Sequence, residues 1–276
     1  MMIFSFGNLH LSKLLIMGTK ALKASRKAEQ ILVKVDGKTV YETHSEKLLG
    51  ILVNGDMTWK EHLYGEDWRI EKNEPGLLSQ LSKRVGLLKK LSRLVSKAKL
   101  RVFIDGLFYS KLNYCLPVFG SVFGLDEYND SERRYVSFTK EDNRKLQVLQ
   151  NTVMRLQTGL PMLTPTATLL DKANSLSIQQ LIAKNTLFMV YKIVQTSKPK
   201  YLVDRLKLAD RGGNQRNLGK LIIPKYNLSL SSEGFLSQGS LLFNKLPVSL
   251  RQEVNFHRFK SGVKKWVSEN ICVQPP

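Results

Sequence analysis

From Leu77 onwards, apolar residues recur at spacings of three and four, the spacing of one face of an α-helix. The clearest run begins at Leu77 and ends at Val95, and we predict a helix with one apolar face there. Further helices are predicted at 99–114, 143–158, 166–173, 177–195, 240–246 and 256–270. Because this pattern fills most of the chain, the sequence predicts an α+β protein that is predominantly α.

The first sixty residues have a different pattern, rich in short β-type runs. The run 31–35 is followed by the turn signal Asp36-Gly37 and by a second run at 39–41, which predicts a β-hairpin. Other elements predicted in this part are strands at 14–17 and 48–53 and a helix at 21–30.

The chain divides into three predicted parts: a small β-rich part at 1–60, a helical part at 77–160, and a second helical part at 166–276 with a loop-rich stretch at 198–234. A polar, exposed loop is predicted at 125–142. Two helix boundaries carry local signals. Gly159 ends one helix, and Ser177 with Gln180 three residues later forms a capping-box pattern at the start of another.

The chain is strongly basic, with 43 Lys and Arg against 23 Asp and Glu in 276 residues, a formal net charge of +20. Such an excess indicates a polyanionic partner, either a nucleic acid or an anionic membrane surface. Cys115 and Cys272 fit no zinc-ligand pattern, and so little cysteine favours a reducing intracellular compartment, nuclear or cytoplasmic. The start of the chain lacks signal-peptide features, and no stretch reaches the ~20 apolar residues of a membrane span.

One stretch concentrates the positive charge: from Lys83 to Arg101 there are eight basic residues and no acidic one. At 3.6 residues per turn, several of these cations fall opposite the apolar face of the predicted helix. Regularly spaced cations neutralise a phosphate backbone and release its counterions, which predicts a nucleic-acid-binding ridge. The alternative is an ordinary solvated face, which usually carries both signs. The residues predicted to bind are Lys83, Lys90, Arg93, Lys97 and Arg101.

Other patterns point to no catalytic chemistry. Five aromatic residues have the chemistry to stack on bases, although core packing is the commoner use at their spacings. They are Trp59, Tyr109, Tyr114, Phe119 and Phe123. The histidines are scattered, and the chain has no Asp-Asp pair to hold two metal ions. Asp36 and Asp56 lie beside glycines, where turn chemistry explains them. We predict no catalytic residue, no metal ligand and no cofactor.

Six segments carry family-like patterns. Residues 47–62 read KLLGILVNGDMTWKEH, and residues 143–159 read NRKLQVLQNTVMRLQTG, with the spacing L-x-x-L-Q-N-x-x-x-R-x-x-T-G. The other four are 8–18 (NLHLSKLLIMG), 106–115 (GLFYSKLNYC), 177–193 and 239–266. In this order they resemble the end of the palm, the thumb and the C-terminal helices of reverse transcriptases of non-LTR (LINE-like) retrotransposons. Leu14 and Phe243 stand where that family usually has Thr and Trp.

The resemblance implies a parent activity, RNA-directed DNA synthesis with magnesium, and a role in gripping a primer–template duplex or RNA–DNA hybrid without sequence preference. It assigns 1–60 to a palm remainder and 77–160 to a thumb-like region. The family's catalytic aspartates are expected upstream of this chain. No catalytic residue is therefore carried over, and the chain alone is expected not to polymerise.

Two alternative interpretations stay open. In the first, the helices form a non-enzymatic interaction protein whose basic face binds an acidic protein or an anionic membrane. In the second, the chain is a truncated retroelement relic without a selected function, and the departures at Leu14 and Phe243 reflect decay.

Overall fold

The computed structural model describes residues 2–4, 13–18, 33–35, 37–65, 75–125, 138–209, 219–224 and 234–271. The chain divides into two compact units, Met1–Gln80 and Leu81–Pro276. The described strands all lie in the first unit, and the second unit is helical. The predicted fold class, α+β and predominantly α, is confirmed.

Short strands form three small sheets in the first unit. They are β1 (Met2–Phe4), β2 (Lys13–Leu15), β3 (Val33–Val35), β4 (Lys38–Val40), β5 (Glu42–Thr43), β6 (Ser45–Leu48) and β7 (Ile51–Asn54). Strand β2 pairs antiparallel with β1 and parallel with β5, while β3–β4 and β6–β7 are antiparallel hairpins. The hairpin predicted around Gly37 is confirmed, with Val33 opposite Val40. The helix predicted at 21–30 and the turn residue Asp36 lie outside the described residues.

The single strand predicted at 48–53 is wrong, because a hairpin turn interrupts it. Leu49 and Gly50 connect β6 to β7 with φ angles of 49° and 84°. Two successive residues with positive φ are typical of a type I′ turn, whose twist matches that of the flanking strands. Of the two, only Gly50 is a usual turn residue, and Leu49 is 79% exposed at the tip. Because the run 48–53 is otherwise apolar, its sequence did not predict the turn.

Asn54 joins the end of β7 to the short helix α1 (Lys60–Tyr64). Its side chain is buried, and its Oδ1 accepts a hydrogen bond from the Thr58 backbone N–H at 2.9 Å. Its Nδ2 donates to Thr58 Oγ1 at 2.7 Å and to a carboxylate oxygen of Glu61. The polar residues in the run 47–62 thus close a turn around one buried amide and hold α1 against β7.

The second unit is built from helices joined by short connections. They are α2 (Leu77–Leu91, in this unit from Leu81 onwards), α3 (Lys97–Ile104), α4 (Ser110–Asn113), α5 (Leu116–Phe119), α6 (Lys140–Thr158), α7 (Thr166–Ala173), α8 (Ile178–Thr196), α9 (Lys200–Val203), α10 (Phe235–Lys245), α11 (Val248–Arg251) and α12 (Phe256–Asn270). A π-helical turn, Asp105–Tyr109, connects α3 to α4. The predictions at 166–173 and 256–270 are confirmed. So is the capping box of α8, formed by Ser177 and Gln180.

The helix predicted at 77–95 ends four residues early, at Leu91. The Ser92 hydroxyl donates to the Lys89 carbonyl at 2.8 Å, and such side-chain bonds compete with the helical backbone pattern. Ser96 then adopts an extended conformation as the N-cap residue of α3. The apolar spacing alone did not reveal this break, because Val95 still fits the repeat.

The polar loop predicted at 125–142 is also wrong at both ends. Leu125 and Phe138 are buried, and α6 begins at Lys140 rather than at residue 143. Thr139 and Asp142 form a reciprocal capping box: each side chain accepts a hydrogen bond from the other residue's backbone N–H, at 3.1 and 2.8 Å. Helix α10 likewise begins earlier than predicted, at Phe235 instead of residue 240.

Helix α8 is the centre of the second unit. It packs against α5, α6, α10 and α12. Most of its apolar side chains are buried, around the helix rather than along one stripe: Ile178, Leu181, Ile182, Leu187, Val190 and Ile193. A helix that is apolar on most sides belongs in the interior of a protein, and α8 therefore organises the helices around it.

Buried amides fix α6 against its neighbours. The fully buried Gln150 donates from Nε2 to the Leu176 carbonyl at 2.7 Å and to the Tyr109 hydroxyl at 3.2 Å. Gln147 donates to Gln150 Oε1 at 2.9 Å and accepts from the Ile178 N–H at 3.0 Å. A buried amide without partners costs free energy, so these bonds select one position of α6 along its neighbours.

Replacing Gln150 with leucine tests this network. The change leaves the Leu176 carbonyl and one donor of Gln147 without their bonds, and each such buried group costs about 1–3 kcal/mol. We expect the free energy of unfolding to fall by about 2–4 kcal/mol in denaturant titrations followed by circular dichroism. Gln157→Leu is the matched control, the same change on the same helix at a less buried position, with an expected effect within about 0.5 kcal/mol. Equal effects of the two variants would contradict the network.

Candidate nucleic-acid interface

The outward face of α2 carries two of the five predicted cations. Lys83 and Lys90 are exposed, while Leu81, Val85 and Leu88 on the opposite side are buried. The two lysines are seven residues apart, which is two helical turns and about 10 Å along the axis. They therefore lie in one line on a solvent-facing surface.

Gly86 lies between these lysines on the same surface. A Cβ atom at this position would meet no described atom within 4 Å, so packing does not explain the glycine. Inside a helix, glycine costs about 1 kcal/mol relative to alanine. The missing side chain leaves helix backbone open between two ammonium groups, which permits close approach by a ligand.

The other three predicted cations are not on α2, because this helix ends at Leu91. Arg93 is exposed in the turn that follows α2. Lys97 is the first residue of α3, and its Nζ donates to the Thr158 carbonyl at 3.2 Å, at the C-terminal end of α6. Arg101 lies one turn further along α3 and is exposed. Lys83 and Lys90 are thus brought together, and Lys97 has a structural partner.

In the described part of the chain, no ion pair with a carboxylate balances the positive charge of this surface. Within the part of the chain that the structure describes, none of the five cations forms an ion pair with a carboxylate. Arg84, in the same stretch, differs because its Nη1 donates to the Leu107 carbonyl at 2.6 Å, and we assign it to structure. Lys89 and Lys99 are exposed too and add to the positive charge, although the sequence did not single them out.

Three of the five aromatic residues considered for base stacking serve the interior. Phe119 is buried, and Phe123 stacks on Phe138 with ring centroids 6.1 Å apart. Tyr109 hydrogen-bonds Ser175 and Gln150, and its burial raises the pKa of the phenol. Tyr114 is the most exposed of the set, at 46%. Core packing is therefore the role of Phe119, Phe123 and Tyr109, and the candidate interface rests on charge.

A second basic surface, on α8 and α12, was missed in the sequence. The Nζ atoms of Lys192 and Lys260 lie 5.3 and 4.4 Å from the ring centroid of Phe256. Burial lowers the pKa of Lys184, and the nearby charge of Lys264 lowers it further. The sequence does show lysines that recur along the predicted helix 256–270. Only the structure shows that this helix lies next to α8, whose lysines complete the surface.

The described residues give less support to a metal site, a membrane span or a reactive thiol. Among the described residues, no group of three His, Cys, Asp or Glu side chains is arranged to hold a metal ion. None of the described helices has the length and apolar character to cross a membrane. Cys115 is partly buried with a left-handed φ of 54°, and burial raises the pKa of its thiol. The thiol is thus less nucleophilic than an exposed one.

Comparison with known proteins does not assign a family. No protein-family model, no curated protein and no solved structure matches this chain. The candidate interface therefore stands on the residues of α2 and α3 alone.

The glycine on α2 gives a direct test of this geometry. Gly86→Ala is expected to raise the free energy of unfolding by about 1 kcal/mol, because alanine suits a helix better and meets no neighbour here. Gly120→Ala is the contrasting variant. Its Cβ would lie 2.8 Å from the Leu116 carbonyl oxygen and 2.9 Å from Ile182 Cγ1, and it should destabilise the protein. If denaturant titrations show Gly86→Ala to be destabilising, the open helix face is refuted.

Proposed function

We propose that this chain binds the sugar–phosphate backbone of a primer–template duplex or RNA–DNA hybrid, as the thumb-like and C-terminal part of a reverse-transcriptase-like protein of the non-LTR retrotransposon class. The observation that carries the proposal is the outward face of α2, where Lys83, Gly86 and Lys90 form a cationic, unobstructed line. Arg93, Lys97 and Arg101 extend the positive charge into α3.

The chemistry of this face favours backbone binding over base recognition. Lysine is a flexible point charge that suits phosphate, and phosphate contacts position a protein without reporting sequence. Between residues 83 and 90 there is no Asn or Gln to pair with adenine, and the one arginine, Arg84, is bonded to the Leu107 carbonyl. Binding is therefore expected to be insensitive to sequence and strongly dependent on salt.

Polymerisation is not part of the proposal for this chain alone. Phosphoryl transfer with two metal ions requires carboxylates that hold the ions about 3.5–4 Å apart. The sequence has no Asp-Asp pair, and Asp56 lies in the turn after β7. Magnesium would be needed only by the complete enzyme of the proposed class.

Paired charge reversals test the interface. We expect Lys83→Glu with Lys90→Glu to weaken binding to a 20-base-pair RNA–DNA hybrid by about tenfold or more near 0.1 M salt. The slope of log affinity against log salt should become shallower by about one for each lost contact. Fluorescence anisotropy of a labelled hybrid across a KCl series measures both quantities.

The matched control is Lys200→Glu with Lys207→Glu, which changes the net charge equally at exposed positions that belong to neither α2 nor α3. Equal weakening by both pairs in folded proteins would mean that total charge, not this face, drives binding. With magnesium and deoxynucleotides present, primer extension by the chain alone would contradict the proposed lack of activity.

An anionic membrane is the second candidate partner, favoured by exposed apolar residues beside the cations. Leu94 is 80% exposed between Arg93 and Lys97. Met162 and Leu163 are 84% and 96% exposed in the turn that follows α6, whose end contacts Lys97. Apolar side chains surrounded by cations are typical of proteins that lie on acidic bilayers.

Vesicles separate the two candidates. Tighter binding to vesicles of one-third phosphatidylserine than to the hybrid, with loss of that binding in Leu94→Asp, would replace the nucleic-acid proposal by the membrane one. A folded chain that binds neither partner would favour a relic without a selected function.

A further inference from the structure

A cleft of about 550 Å³ lies between α7 and α12 in the second unit, next to the first turn of α8. This volume is within the usual range for small-molecule sites, about 300–1,000 Å³. The cleft involves neither α2 nor α3, so whatever it binds is separate from the proposed backbone interface.

Hydrogen bonds hold the two walls of the cleft in place. Gln180, in the first turn of α8, donates from Nε2 to the Ile271 carbonyl at 3.1 Å and to the Ser268 carbonyl at 3.5 Å, at the end of α12. Across the opening, Lys264 Nζ lies 3.5 Å from Oδ1 of Asn174, the residue that ends α7 in a left-handed conformation. Specific hydrogen bonds between these helices therefore maintain the shape of the cleft.

The α12 wall is cationic. Lys264 and Lys265 line the cleft together with the hydroxyl residues Ser261 and Ser268. Behind this wall, burial lowers the pKa of Lys184 on α8, and the nearby charge of Lys264 lowers it further. Among the described residues, neither Lys264 nor Lys265 is ion-paired, so the wall holds two positive charges that repel each other. The hydroxyls of both serines donate to backbone carbonyls of α12, so the lysines are the donors that this wall offers. A bound anion with several oxygen atoms would relieve the repulsion between the lysines and accept hydrogen bonds from their ammonium groups.

The opposite wall has different chemistry. Ala167 is exposed at this wall, and the buried side chains of Leu170 and Leu176 form its apolar floor. Asp171 lies beside them and is a hydrogen-bond acceptor without an ion pair in the described part of the chain. One side of the cleft thus suits a phosphate, and the other suits a flat apolar ring with a donor group near it.

We propose that this cleft binds a phosphorylated nucleoside, either as a free mononucleotide or as the 5′-terminal nucleotide of a strand. The phosphate lies against Lys264 and Lys265, the base packs on Ala167 above the apolar floor of Leu170 and Leu176, and Asp171 accepts a hydrogen bond from a sugar hydroxyl or an exocyclic amine. Inorganic phosphate lacks the apolar part and an unphosphorylated nucleoside lacks the charge, so each binds more weakly than the complete ligand.

Calorimetry on the full chain tests this assignment with AMP, adenosine and inorganic phosphate as probes. AMP is expected to bind at least about tenfold more tightly than either fragment, because AMP alone combines the charged group with the apolar ring. AMP should also raise the melting temperature in a concentration-dependent way. Lys264→Gln should weaken AMP binding by about tenfold, and Lys172→Gln, an exposed change on α7 outside the lining, should leave it within about twofold.

Two short single-stranded oligonucleotides, one with a 5′-phosphate and one with a 5′-hydroxyl, distinguish the two sources of the ligand. Preference for the phosphorylated strand, lost in Lys264→Gln, would place a strand end in the cleft even if free AMP binds weakly. The assignment is overturned if AMP binds no better than adenosine and phosphate and the 5′-phosphate has no effect. It is also overturned if Lys264→Gln and Lys172→Gln weaken binding equally. Lys83→Glu with Lys90→Glu should leave AMP binding intact, which separates this site from the backbone interface.

Discussion

The row of buried amides on α6 is the constraint on which the helical unit depends. Gln147 and Gln150 bond to the start of α8 and to Tyr109 in the π-helical turn. Asn151 Nδ2 donates to Thr166 Oγ1 at 2.9 Å at the start of α7, and Asn143 Oδ1 accepts from Gln179 of α8 at 3.1 Å. A shift of α6 by one residue would leave several of these groups buried without partners, whereas apolar contacts alone tolerate such a shift more easily.

Both candidate binding surfaces border elements that this row holds. Lys97, at the start of α3, contacts the C-terminal end of α6. Because the row fixes the position of α6, it also positions the start of α3 and the basic residues that follow. The Leu176 carbonyl, bonded to Gln150, belongs to the connection that lines the α7–α12 cleft. A variant that weakens the row should therefore affect both surfaces, although neither surface contains its residues.

Sequence reasoning succeeded where a short segment carries its own signal. The capping box of Ser177 and Gln180 marked the start of α8, and apolar periodicity located α7 and α12. It failed where local competition decides the outcome. The Ser92 hydroxyl helps to end α2. Leu49 adopts a positive φ in a turn, and leucine is not a residue type that predicts such a turn. For the candidate interface, the helical wheel correctly placed Lys83 and Lys90 opposite the buried face of α2, but it also included Arg93 and Lys97, which lie beyond the end of this helix.

The sequence by itself determined the helical class, the large positive charge and the local caps, because these follow from composition and from residues within one or two turns of each other. Only the tertiary structure decided which cations are available to a partner. Lys97 and Thr158, 61 residues apart, are joined by a hydrogen bond, and Lys184 acquires Lys264 as a neighbour across two helices. Contacts between such distant residues leave no periodic trace in the chain, since they are set by how whole helices pack.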